Sequence, residues 1–116
     1  MAMPPNVLLM VVDACRPDYL SPYANIVAGT ADARTPAIES LADEGTVLRR
    51  AISAAPRTLP SVTSMLTGLR PAEHGATSRQ FAMRYGETVT RQLSESGYEC
   101  VHLSPKTWTG DWLPQG

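Results

Sequence analysis

Residues 55–75, APRTLPSVTSMLTGLRPAEHG, predict a short helix with a hydroxyl group just before its amino end. Proline suits the first turn of a helix, because its missing N–H leaves no hydrogen bond unmade, so we expect the helix to begin near Pro60. Gly68 can adopt the left-handed conformation that ends a helix, and Pro71 prevents the helix from continuing. The pattern therefore predicts a helix over residues 60–67.

Thr58 lies just before this predicted helix. Unpaired backbone N–H groups and the positive end of the helix dipole favour an anion at this position. A phosphate or sulfate group bound there would have the Thr58 hydroxyl beside it. Threonine is also a common helix cap. From the local pattern alone, the cap and the nucleophile both remain possible roles for Thr58.

The composition is typical of one globular domain. The chain has 116 residues, of which 43% are hydrophobic. Its 10 basic and 11 acidic side chains give a formal net charge of −1, which predicts neither a nucleic acid nor a membrane surface as partner. No stretch resembles a membrane span or a targeting peptide, so we expect a single domain, residues 1–116, in the cytoplasm. Cys15 and Cys100 lack metal-site spacing and are expected to be buried free thiols.

Apolar runs alternate with helical patterns along the chain. The valine-rich residues 6–12 are typical of a central parallel strand, and residues 46–53 and 98–103 predict two further strands. Helices are expected from Pro36 to Gly45, with Thr35 as cap, and over residues 88–96. This alternation predicts an α/β fold, in which helices flank a parallel sheet.

Asp13 is a candidate ligand because it ends the first predicted strand. In open α/β sheets, ligands bind at the carboxyl ends of the strands. The alternative is an aspartate that starts a turn before Arg16. Arg16 and Asp18 are expected to form a structural ion pair rather than to take part in catalysis.

Residues 58–75 resemble the nucleophile segment of the alkaline phosphatase superfamily, which includes the sulfatases and the nucleotide pyrophosphatase/phosphodiesterases. Sulfatases have a Cys or Ser that becomes formylglycine, then x-Pro-Ser-Arg and, further on, Leu-Thr-Gly. Thr58 falls on the modified residue and Pro60-Ser61 on Pro-Ser. Threonine cannot be oxidised to formylglycine, and Val62 replaces the arginine. The phosphodiesterases use an unmodified threonine, and residues 67–75 follow their Thr-Gly-Leu-Tyr-Pro-x-x-His-Gly pattern except that Arg70 replaces the tyrosine.

Two further residues take roles from this resemblance. The strand that ends at Asp13 resembles the superfamily's opening strand, whose terminal Asp binds metal, although Ala14 stands where sulfatases usually have a second Asp. Lys106 resembles, after a one-residue shift, the substrate-binding Lys of the sulfatase Gly-Lys-Trp-His segment. Lys106 is therefore a candidate substrate contact, with a surface lysine as the alternative. His74 is expected to be structural, because the family's metal-binding histidines lie further along the chain.

The resemblance implies a metal-dependent hydrolase of small-molecule sulfate or phosphate esters or diesters. Asp13 and Thr58 would bind a divalent cation (zinc, calcium, manganese or magnesium), and Thr58 would be the catalytic nucleophile. The resemblance covers only the N-terminal part of the family's domain, so three hypotheses remain. The chain is a hydrolase piece that is inactive alone, an enzyme completed by a second copy or a C-terminal partner chain, or a non-enzymatic anion-binding or interaction domain.

Overall fold

The computed structural model describes residues 4–24, 34–77 and 87–104. The chain divides into two compact units, Met1–Ala51 and Ile52–Gly116, and each is described by itself. Lys106, the candidate substrate contact, lies outside the described residues. In the part that the model describes, no helix is long and apolar enough to span a bilayer.

The first unit contains helix α1, Pro36–Glu44, and two 3-10 turns, Pro17–Tyr19 and Ser21–Tyr23. Pro36 begins α1, as the sequence predicted. Thr35 occupies the cap position, as predicted, but its hydroxyl makes no capping hydrogen bond. Instead, Thr35 Oγ1 accepts from the Ser21 N–H at 2.9 Å, and Ser21 Oγ accepts from the Thr35 N–H at 2.8 Å. This reciprocal pair attaches the start of α1 to the second turn.

Gly45 ends α1, as predicted, but not through a left-handed conformation. Its backbone is extended, with φ at −119°. A Cβ atom at this position would lie 2.9 Å from the carbonyl oxygen of Leu41. Glycine is therefore required by this close approach to the last turn of α1.

The predicted ion pair between Arg16 and Asp18 is confirmed. Arg16 Nε donates to Asp18 Oδ1 at 3.0 Å, and a second bond joins Arg16 Nη2 to Asp18 Oδ2. The Asp18 residue is 5% exposed. The hydrogen bonds from Arg16 lower the pKa of Asp18. Its carboxylate therefore serves the local structure of the first unit.

The second unit contains α2, Thr58–Thr67, followed by α3, Pro71–His74, and α4, Val89–Glu95. Helix α2 contacts both α3 and α4. The structure starts α2 two residues before the predicted Pro60. Pro71 begins α3 rather than only ending the previous helix, because proline is equally suited to a first helical position. For α4 the prediction is confirmed within one residue at each end, and the Thr88 hydroxyl caps it by accepting from the Arg91 N–H at 3.3 Å.

The three predicted strands are not formed in residues 4–24, 34–77 and 87–104. Residues 6–12 and 98–103 have no regular secondary structure, and a turn at Arg49 and Arg50 interrupts residues 46–53. A strand exists only where a neighbouring chain accepts and donates its backbone hydrogen bonds, and an apolar run in the sequence does not supply that neighbour. The parallel sheet therefore stays a prediction.

The apolar side chains of these segments are largely exposed, as shown by Leu8 at 83%, Ile52 at 93% and Leu103 at 91%. The buried positions among the described residues are instead mostly polar, including Ser61, Thr63, His74 and Thr88. Such groups need hydrogen-bond partners to be buried without a large cost. In the described ranges, no buried side-chain nitrogen or oxygen lacks one.

The two cysteines are free thiols, as expected, but Cys15 is exposed rather than buried. Cys100 is half-buried, and its thiol donates to the carbonyl oxygen of Thr90 at 3.3 Å. This contact attaches the segment after α4 to the first turn of α4.

Gly68 tests the predicted end of α2. Its φ is +70°, its N–H donates to the Ser64 carbonyl at 2.8 Å, and an added Cβ would meet nothing within 4 Å. Gly68→Ala should therefore cost about 1 kcal/mol of unfolding free energy through backbone conformation alone. Gly68→Asn should cost less, because asparagine tolerates the left-handed region better. Urea unfolding measures both, and equal stability of the wild type and the Ala variant would contradict the account.

Glu73 should make stability depend on acid pH. Its carboxylate accepts from the Arg70 N–H at 2.7 Å and from Arg70 Nη2 at 3.0 Å, and these hydrogen bonds lower its pKa from 4.5 to about 2. A carboxylate with a lowered folded-state pKa adds stability that is complete above about pH 4.5 and is lost as the pH falls towards 2. Glu73→Gln should therefore be less stable than wild type at neutral pH, and the difference should shrink over this interval. The matched control is Glu44→Gln, which removes an exposed carboxylate of the first unit; a pH-independent difference for Glu73→Gln would contradict the assignment.

Candidate active site

Thr58 is the first residue of α2 and is half-buried. Arg57 occupies the cap position in an extended conformation, with φ at −132° and ψ at 148°, and its side chain makes no capping bond. The first backbone hydrogen bond of the helix runs from the Ser61 N–H to the Arg57 carbonyl at 3.2 Å. The capping role considered for Thr58 is therefore wrong, because Thr58 already belongs to the first turn.

Pro60 is the third residue of α2 and is buried. The sequence had placed it at the first helical position. Because proline has no N–H, Pro60 removes one of the donors that a helix end ordinarily presents to an anion. The dipole of α2 and the remaining first-turn N–H groups still give this end a positive electrostatic potential.

Ser61 connects α2 to the segment that precedes it. Its hydroxyl lies 2.8 Å from the hydroxyl of Ser53, and Ser53 Oγ donates to the Ala55 carbonyl, also at 2.8 Å. Ser53 has a single hydroxyl hydrogen, which this second bond uses, so Ser61 is the donor in the first bond. The result is a directed chain of hydroxyl groups from Ser61 through Ser53 to Ala55.

His74 connects α2 to α3. The residue is completely buried, its Nε2 lies 3.1 Å from Ser64 Oγ, and its Nδ1 accepts from the Ala76 N–H at 3.1 Å. A ring nitrogen that accepts from an amide carries no proton, so the neutral ring has its hydrogen on Nε2 and donates it to Ser64. This tautomer cannot take a proton from the serine. The structural role expected for His74 is confirmed, and the pair is not a catalytic serine–histidine dyad.

A groove of about 330 Å³ runs along one side of α2 and opens to solvent. Serines, apolar residues and Arg70 contribute to its walls. Its lining residues are Ile52, Ser53, Ala54, Ser61, Ser64, Met65, Gly68, Leu69 and Arg70. The Ser53–Ser61 contact thus lies in the wall of a space large enough for a small organic group.

Asp13 lies in the first unit, in an exposed turn with Ala14. The turn considered for Asp13 is confirmed. Ala14 has φ at +55°, an uncommon conformation for a residue other than glycine. Since Thr58 belongs to the second unit, the shared metal site expected for Asp13 and Thr58 stays a prediction. The substrate contact expected for Lys106 also stays a prediction, because Lys106 lies outside the described residues.

The described residues supply only part of a metal-binding ligand set. Within residues 4–24, 34–77 and 87–104, no group of three or more His, Cys, Asp or Glu could hold a metal ion. Asp13 and Thr58 together offer one carboxylate and one hydroxyl, whereas divalent ions take about four to eight ligands. These residues alone do not fit a complete divalent-metal site.

Sequence patterns did not predict the Ser53–Ser61 and Ser64–His74 contacts. The strand predicted over residues 46–53 ends at Ser53, and no predicted motif gives Ser64 a partner. Local periodicity identifies helix faces but does not indicate which loop folds back onto a helix. The available signal was the density of serine and threonine in residues 58–67, which is unusual for a helix and calls for hydroxyl partners.

The chain belongs to the sulfatase family, whose model matches residues 5–115. An arylsulfatase of Clostridium perfringens is 31% identical over 111 residues, which cover 90% of this chain and 22% of that protein. An ulvan-active sulfatase of Formosa agariphila is 28% identical over 95 residues, which cover 74% of this chain and 19% of that protein. The chain thus spans about a fifth of the length of these curated relatives. No solved structure gives a significant match.

Family membership confirms the sulfatase side of the resemblance and implies the α/β fold of the alkaline phosphatase type. The threonine-nucleophile variant of the phosphodiesterases stays a prediction. The assignment of Thr58, the residue that begins α2, to the sulfatase nucleophile position also stays a prediction from the sequence resemblance.

The two hydrogen bonds of His74 can be tested separately by stability measurements. His74→Asn keeps an acceptor near the position of Nδ1 and loses the contact with Ser64, whereas His74→Leu loses both partners. Ala76 is completely buried, so its N–H would have no acceptor in the leucine variant. His74→Leu should therefore be less stable than His74→Asn by about 1–3 kcal/mol.

Urea unfolding measures this difference, and Ser64→Ala is the control that removes only the other contact. A leucine variant at least as stable as the asparagine variant would show that the bond from the Ala76 N–H to the ring is not formed.

Proposed function

We propose that this chain carries the nucleophile of a sulfatase-family hydrolase of sulfate or phosphate esters, and that Thr58 is that nucleophile. The observation that carries the proposal is the position of Thr58 in the first turn of α2, at the positive end of the helix. The family match over residues 5–115 supports the reaction class. As the chain spans about a fifth of its relatives, the activity belongs to a catalytic domain to which these residues contribute one part.

The reaction has two steps. Thr58 Oγ1 attacks the sulfur or phosphorus atom, the bond from that atom to the ester oxygen breaks, and the alcohol leaves with the proton that the hydroxyl loses. Water then attacks the same atom of the covalent Thr58 ester, which restores the hydroxyl and releases sulfate or phosphate. The first-turn N–H groups and the helix dipole stabilise negative charge that develops on the transferred group.

The proposal includes a divalent cation because sulfatase-family enzymes generally use one. Asp13 would provide a carboxylate and Thr58 its hydroxyl oxygen, both hard donors that suit calcium or magnesium, and zinc and manganese remain alternatives. Lys106 would contact the anionic group of the substrate. Asp13 and Thr58 are only two donors, fewer than a divalent cation needs, so the remaining ligands would have to come from other residues.

A phosphodiester or phosphonate is a second candidate substrate class. Thr58 cannot form the aldehyde of formylglycine, and Val62 occupies the position of the sulfatase arginine. Both features favour direct attack by an unmodified hydroxyl, as in the phosphodiesterases that residues 58–75 also resemble. A panel of aryl sulfates, phosphomonoesters and phosphodiesters would distinguish the two classes.

Substitution of Thr58 tests the proposal. In the longest natural form of the protein that contains these residues, Thr58→Ala should lower kcat for the preferred ester by roughly a thousandfold or more, because the nucleophile is gone. Thr58→Ser keeps a hydroxyl and should retain measurable turnover. Thr63→Val is the matched control, since it removes a buried hydroxyl of α2 that donates to the Leu59 carbonyl within the same helix. Turnover by Thr58→Ala at the control's rate would contradict the assignment.

A further inference from the structure

We propose that Ser61 is a positioning residue that fixes Thr58 in the first turn of α2, and that it acts through Ser53. The inference rests on the proposed function, in which Thr58 is the nucleophile. Ser61 itself is 8% exposed and donates its hydroxyl hydrogen to Ser53, so neither its accessibility nor its hydrogen bonding suits attack on a substrate.

Ser61 contacts the chain on the amino-terminal side of Thr58 in two ways. Its N–H donates to the carbonyl of Arg57, the residue directly before Thr58, at 3.2 Å. Its hydroxyl donates to Ser53 Oγ at 2.8 Å, and Ser53 in turn donates to the Ala55 carbonyl. The segment of residues 53–57 is thus attached to α2 at Ser61, both through the backbone and through side chains.

The local geometry makes Thr58 depend on these contacts. Ser61 follows Thr58 by three residues, so the two side chains lie on neighbouring parts of the same helix face. Pro60 donates no backbone hydrogen bond, so the first turn has one fewer donor with which to hold the preceding segment. The hydroxyl bond from Ser61 to Ser53 supplies an additional attachment at this end of α2.

Thr63, the other buried hydroxyl of α2, does not make such a contact. Thr63 Oγ1 donates to the Leu59 carbonyl at 2.8 Å, and this bond stays within the helix. Thr63 is 1% exposed, so Thr63→Val is a matched control for the loss of a buried hydroxyl that does not attach α2 to another segment.

The kinetic test compares single and double variants in the longest natural form of the protein. A nucleophile displaced by about 1 Å loses up to roughly a hundredfold in rate. Ser61→Ala should lower kcat by about ten- to a hundredfold and leave KM nearly unchanged. Ser61→Thr, which keeps the hydroxyl, should retain more of kcat than Ser61→Ala.

The double variant tests whether both serines act through one bond. Ser53→Ala should lower kcat to a similar extent as Ser61→Ala, and the two substitutions together should cost no more than the larger single effect. Full additivity, or a Ser61→Ala variant that behaves like Thr63→Val, would overturn the inference.

A second measurement does not depend on activity. By hydrogen–deuterium exchange, Ser61→Ala should increase exchange in peptides that cover residues 53–61 and leave α4 unchanged, whereas Thr63→Val should not affect residues 53–57. If Thr58→Ala abolishes turnover but Ser61→Ala changes neither kcat nor exchange, the positioning role fails and the proposed function stands. If Ser61→Ala increases exchange but Thr58→Ala keeps full turnover, Thr58 is not the nucleophile and the positioning role for catalysis falls with it.

Discussion

The position of α2 depends on hydrogen bonds made by its own polar side chains. Ser61 attaches its amino-terminal half to the segment of Ser53, and Ser64 attaches its carboxyl-terminal half to the buried imidazole of His74. Hydrogen bonds of this kind are directional, and they lose most of their value when a buried group is left without a partner. In the described part of the second unit, directional hydrogen bonds therefore fix the arrangement of α2 more than apolar contact area does.

The attachment of α2 through Ser61 and Ser64 bears on the function proposed for Thr58. In the proposed function, the Thr58 hydroxyl must be held close to the path of the reacting atom, and a helix whose two halves are attached separately would hold it so. The sulfatase family supports the proposed reaction class, and the structure places Thr58 at the amino end of α2. The groove beside Ser61 and Ser64 adds a space next to this helix for a small organic group.

The helices could largely be predicted from the sequence because proline and glycine mark helix ends by local physics. Pro36 begins α1, and Gly68 takes the expected left-handed conformation at the end of α2. The start of α2 was predicted two residues too late, at Pro60, because proline fits any position of the first turn and not only the first residue. The strands were beyond this kind of prediction, because apolar runs such as residues 6–12 show what a strand would bury but not which neighbour would pair with it. The polar contacts of Ser53 and His74 depend on how the chain folds back, and the relation of Asp13 to Thr58 stays a prediction.

The most direct test of the central claim is to trap the covalent intermediate. The longest natural form of the protein that contains these residues would be mixed with a slowly hydrolysed sulfate or phosphate ester, quenched in acid and mapped by peptide mass spectrometry. The account predicts one added sulfo or phospho group on the peptide that contains Thr58, located on Thr58 by fragmentation and removed by further incubation before the quench. Turnover accompanied by an adduct on a different residue, or by no adduct under conditions in which the second step is rate-limiting, would contradict it.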